Sequence, residues 1–145
     1  MAVGGTETIR LEFPARPEYL SLVRVVVGNV ANHGPDLESL RINDLCLAVS
    51  EACANAIDAY VCDGRPGETV EVEFAVASER IAVEVVDRAG GFELGASRAA
   101  VPAAHPHRER GLGLPLMKVL TDEMDVDVRN GGTAVRLVML GGRRR

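Results

Sequence analysis

Tryptophan is absent from this chain of 145 residues, and three phenylalanines with two tyrosines are its only aromatic side chains. Aromatic stacking therefore cannot organise the core, which must be built from Ala, Val and Leu. Cysteine is almost as sparse. Cys46, Cys53 and Cys62 form no C-x-x-C pair and show no metal-ligand spacing, which excludes a zinc module and a disulfide framework. Cys46 and Cys53 lie seven apart in an apolar helical stretch and are expected to pack as small, reduced hydrophobes, as in a cytoplasmic protein. A leader pattern is missing too, because Met1 to Gly5 runs straight into a strand pattern. No apolar run approaches the roughly 20 residues that a bilayer-crossing helix needs. Basic excess is also lacking: the net charge is −5, which argues against direct nucleic-acid binding and leaves Arg143-Arg144-Arg145 as a solubilising tail. What is present is 47% apolar and 26% charged residues, the composition of one globular domain over 1–145, with 1–5 and 141–145 as flexible tails.

Alternation of Ile9, Leu11 and Phe13 predicts a strand over Thr6 to Phe13, stopped by Pro14 and Pro17. The spacing of Leu20, Val23, Val26, Val27 and Val30 predicts a helix from Tyr19 to about Ala31. His33-Gly34-Pro35-Asp36 breaks it, and a second helix is expected from Leu37 to about Tyr60. After the turn Asp63-Gly64-Arg65-Pro66-Gly67, strands over Val70 to Ala77 and Ile81 to Asp87 form a hairpin. Phe92 to Arg110 has little periodicity and reads as a loop. A helix follows from Leu112 to Leu120, with Pro115 tolerated in its first turn. Met124 to Arg129 and Thr133 to Leu140 pair across Asn130-Gly131-Gly132. The order β-α-α-β-β-loop-α-β-β predicts an α/β two-layer sandwich: a mixed, mainly antiparallel sheet with helices on one face.

On the second helix Asp44, Glu51, Asn55 and Asp58 fall close to one stripe. Alone, such a stripe describes a solvated edge. Its neighbours Leu47, Ala48, Ala52, Ala54 and Ala56 are small or apolar, however, which suits a pocket wall. A carboxylate four residues from a carboxamide can polarise a nucleophile while the amide oxygen helps hold a hard cation. Asp87 ends a strand and leads into Arg88-Ala89-Gly90-Gly91. That is either a plain turn or a carboxylate able to accept a hydrogen bond from adenine N6, with glycines giving a ligand access to the backbone. Gly111-Leu112-Gly113 opens a helix, whose free N–H groups favour phosphate, and Arg110 adds a bidentate donor. Neither a Walker loop nor a Rossmann fingerprint fits that spacing. Thr133 is either a strand former or a second contact to the base. His105 and His107, without a third ligand, make no metal site. Taken together the three segments point to ATP.

In this order the segments resemble the GHKL ATPase/kinase superfamily (the Bergerat ATP-binding fold), and most closely the anti-sigma factor serine/threonine kinases of the RsbW/SpoIIAB type. The likeness runs from Ile9 through Leu140. Glu51 and Asn55 match the N-box, Asp87 to Gly91 the D-x-G-x-G box, Gly111 to Gly113 the second glycine box, and Gly132-Thr133 the final strand. The resemblance implies that Glu51 is the general base and that Asn55 holds Mg²⁺. It makes Asp87 the reader of the adenine amine and Gly91 the space for the base. Arg110, Gly111, Leu112 and Gly113 would contact the phosphates, Thr133 would support the base, and Glu93 to Glu109 would form a lid. It further implies a homodimer that sequesters a sigma factor and phosphorylates a serine on a STAS-domain antagonist. Ala89 departs from the usual first glycine of its box, and Asp58 is closer to the gyrase and MutL arrangement. Two alternatives stay open: a non-catalytic GHKL-fold regulator acting by binding alone, and a detached ATPase or histidine-kinase catalytic domain.

Overall fold

The computed structural model describes residues 5–65, 67–89, 113–129 and 131–142. Strand β1 spans Glu7–Pro14 and is followed by a 3₁₀ turn, Pro17–Tyr19, whose first residue is the proline. Pro17 lacks an N–H and has its φ preset, so it suits that position. Helix α1, Leu20–Asn32, buries Val23, Val27, Val30 and Ala31, a stripe repeating every three to four residues. Helix α2 runs Ser39–Cys62, about two residues later at each end than the pattern predicts, because the first extended-to-helical switch falls at Glu38. The remaining elements are β2 (Thr69–Val76), β3 (Arg80–Asp87), α3 (Gly113–Leu120), β4 (Glu123–Arg129) and β5 (Gly132–Leu140).

The five strands form one sheet in the order β1-β2-β3-β5-β4, and every neighbouring pair is antiparallel. An α/β two-layer arrangement results, with the antiparallel part of the expected sheet extending to all of it. β5 returns beside β3 instead of lying outside β4, and this insertion brings Thr133 opposite Asp87.

Alternation assigns the two faces. Toward the helices, Val72, Val85 and Val135 form one cross-strand row and Phe74, Val83 and Leu137 the next, all buried. Each such side chain contributes about 1.5–3 kcal/mol when fully buried. The opposite face carries a charged row through all five strands: Arg10, Glu73, Glu84, Arg136 and Asp125. Glu73 and Glu84 face each other, and Arg10 offsets that repulsion by donating from Nε to Glu73 at 2.8 Å.

Helix α2 corrects one expectation, because by length and composition it is apolar enough to cross a membrane. The reason is local: α1, α3, β2, β3 and β5 all pack against it, and thirteen of its residues are buried. At its first turn Arg41 forms a buried ion pair with Asp122, whose Oδ2 also accepts the Leu140 N–H at 2.7 Å. This knot ties α2, the α3–β4 turn and the end of β5.

Candidate functional site

Asp87 and Thr133 are direct cross-strand partners at the last position of β3 and the second of β5. By alternation both side chains share the face of Val85 and Val135, the face covered by α2. Both residues are almost fully buried, at 4% and 5% exposure. Asp87 Oδ1 accepts the Ala89 N–H at 3.0 Å, closing a short side-chain turn at the strand end. Thr133 Oγ1 is buried and has no hydrogen-bond partner among the described residues. A buried hydroxyl left so costs about 1–3 kcal/mol, a cost that a base or water donor at this spot would relieve.

The close approach of the two strand ends requires Gly132. Its φ is +148, and a Cβ there would lie 1.9 Å from the Asp87 carbonyl oxygen and 2.7 Å from Arg88 Cα. Ala89, the departure from the glycine-rich pattern, is fully buried, and no described non-glycine residue has positive φ. Alanine therefore meets the backbone demand at that position without strain.

Tyr60, near the C-terminal end of α2, reaches this corner. Its hydroxyl accepts the Arg88 N–H at 2.7 Å and donates to the Thr69 carbonyl at 3.1 Å. Burial, foremost, pushes the Tyr60 phenol above its ordinary pKa, while the Arg88 N–H opposes that shift. The hydroxyl is thus kept protonated, as the donation to Thr69 needs. Asp87 accordingly lies beside the end of α2. Asn55 is five residues back from Tyr60, about 7.5 Å along the axis, and Glu51 nine back, about 13.5 Å. Both are half-buried, and neither is a fully solvated edge residue.

Among the other expected site residues, Gly113 is the first residue of α3, which packs on α2. Gly91, Arg110, Gly111, Leu112 and the lid Glu93 to Glu109 lie outside the described residues. Asp44 and Asp58 share the α2 stripe, Asp44 buried and Asp58 half-buried. Two contributors had no reading as site residues from pattern alone. Tyr60 lies off the Glu51/Asn55 stripe, and the role of Gly132 depends on a contact with Asp87, far earlier in the chain.

An antiparallel five-stranded sheet under helices, with a buried Asp/Thr pair at the ends of two interior strands and a Glu/Asn pair on the central helix, defines a class. Residues 13–139 match the histidine kinase-like ATPase domain, and the chain belongs to that family. Within it, the chain is similar to serine-protein kinases named RsbW. The chain is 37% identical to the Bacillus pumilus protein over 147 residues, covering 95% of this chain and 89% of that one. It is 35% identical to the Bacillus licheniformis protein over 133 residues, 86% and 81% of the two chains. The Bacillus subtilis protein is 34% identical over 143 residues, 94% and 88% of the two chains. Among solved structures, the RsbU and RsbW domains of a Mycobacterium tuberculosis protein superpose with a TM-score of 0.65 at 20% identity. That match covers 92% of this chain and 32% of the other, a likeness of fold.

Proposed function

We propose that this chain is an ATP-dependent anti-sigma factor serine kinase of the cytoplasm, which sequesters a sigma factor and phosphorylates a serine of a STAS-domain antagonist. The observation that carries the nucleotide half is the Asp87/Thr133 pair. A buried carboxylate faces a buried, unsatisfied hydroxyl on the side of the sheet that bears Glu51 and Asn55. The kinase half is supported by the named RsbW relatives, each matched over most of its length. ATP supplies the phosphoryl group when bound.

The residues divide the work along α2. Asp87 accepts from the adenine amine, and Thr133 completes its buried hydrogen bonding against the base. Gly91 leaves room for the ring. Arg110 and the backbone of Gly111, Leu112 and Gly113 would take phosphate oxygens, and the N-terminal end of α3 favours negative charge. Asn55 would hold Mg²⁺ through its amide oxygen. Among the described residues no group of three or more His, Cys, Asp or Glu is placed to hold a metal, so water and phosphate would supply the other ligands. Glu51 accepts the proton of the incoming serine hydroxyl, and positioning and electrostatics provide the rest. The homodimer is part of the same proposal.

The test is transfer from labelled ATP, with Mg²⁺, to candidate STAS-domain proteins. An acid-stable phosphoserine product is expected. Glu51→Ala should lose transfer by about 10²–10⁴-fold while still binding ATP. Asn55→Ala should bind ATP equally with and without Mg²⁺. Nucleotide binding with no transfer to any antagonist would overturn the kinase assignment in favour of a regulator that acts by binding.

A further inference from the structure

Of three successive backbone groups behind the Asp87 carboxylate, two are pinned from outside β3 and the third bonds the carboxylate itself. The Arg88 N–H donates to Tyr60 Oη at 2.7 Å, and the Arg88 carbonyl accepts from Arg65 Nη1 at 2.7 Å. The Ala89 N–H then donates to Asp87 Oδ1 at 3.0 Å. The Arg88 carbonyl and the Ala89 N–H belong to one planar amide, so fixing one fixes the direction of the other. Arg65 thereby aims the N–H that holds the carboxylate, and Tyr60 sets the plane of the amide before it.

Arg65 is itself braced. Its guanidinium stands 5.7 Å from the Tyr60 ring centroid, 3.2 Å from Glu68 and 3.4 Å from Asp63. The Arg88 side chain is anchored separately by two 3.0 Å bonds to Glu71. On the far side, Gly132 closes against the Asp87 carbonyl. A surface turn after α2 and the end of α2 thus grip the peptide that presents a buried acceptor.

We infer that Tyr60 and Arg65 are positioning residues for base selection: they hold the Asp87 carboxylate in the direction that separates a 6-amino purine from a 6-oxo purine. This rests on Asp87 as the adenine contact. A carboxylate accepts from an exocyclic amine and repels a carbonyl, but only when its oxygen is held in line with that group. Loosening the amide lets the carboxylate turn away, and the preference between the two bases falls.

The experiment measures calorimetric affinities of the full chain for ATP, ITP and inorganic triphosphate, with Tyr60→Phe and Arg65→Met as variants. Arg65 is partly exposed, so Arg65→Met tests the idea even if Tyr60→Phe fails to fold. For each folded variant the ATP affinity is expected to fall about tenfold, with ITP and triphosphate within about twofold of wild type, so that the ATP/ITP ratio collapses. Parallel weakening of ATP and ITP, or an unchanged ratio, overturns the inference. Wild type that binds ATP and ITP equally would instead remove the adenine role of Asp87, and wild type that binds none of the three would remove the nucleotide site.

Discussion

Gly132 and Asp87 are in such close register that a methyl group on the former would overlap the carbonyl oxygen of the latter, at 1.9 Å. Neighbouring Gly131 also has positive φ, +98, but has nothing within 4 Å of its would-be Cβ. Gly131→Ala should cost only backbone strain, about 1 kcal/mol, whereas Gly132→Ala adds a backbone clash and should lose about 3 kcal/mol. Urea unfolding of the two variants gives the order directly, and equal losses would refute it.

Thr133→Val removes the orphaned hydroxyl at nearly constant shape. The nucleotide-free protein should be unchanged or gain about 1 kcal/mol, because an unsatisfied polar atom is no longer buried. ATP affinity should fall by about tenfold. Thermal melts with and without nucleotide measure both effects, and opposite signs are the expected result.

Asp122→Asn leaves the Arg41 guanidinium buried beside a neutral partner while keeping an acceptor for the Leu140 N–H. A loss of about 3 kcal/mol is expected in denaturant titration. Arg41→Met combined with Asp122→Asn should recover much of that loss, since no unpaired charge remains. A double variant weaker than the single one would show the pair to be net stabilising.

Burial pushes the Cys53 thiol up to about 12, from an ordinary value of 9.0. The folded state therefore keeps its proton where the unfolded thiol loses it. This contribution to stability is complete below pH 9 and lost as pH rises from 9 toward about 12, at up to about 1.4 kcal/mol per pH unit. Cys53→Ala should flatten that part of the stability profile, and Cys53 should resist alkylation at pH 8 until the protein unfolds.

Legibility followed the range of the signal. The alternation of β2, β3 and β5, the long apolar α2 and the glycine turn before β5 were visible because each repeats within one turn or one pleat. That Glu51 and Asn55 share one helix face was visible because four residues is a helical repeat. Tyr60 was not, since five residues beyond Asn55 it lies about 140° round the helix. Arg41 and Asp122 are 81 residues apart, and nothing in either neighbourhood announces the other. The membrane-length apolarity of α2 was also missed, because its scattered polar residues break every uninterrupted run.

Residue order alone settled which segments become helix or strand and which side chains share a face, since both depend on spacing within a few residues. Folding in three dimensions settled that β5 enters between β3 and β4, that Thr133 consequently meets Asp87, and that Tyr60 and Arg65 brace the peptide beside it. Those outcomes depend on strand order, register and the packing of distant surfaces, and such couplings leave no periodic trace along the chain.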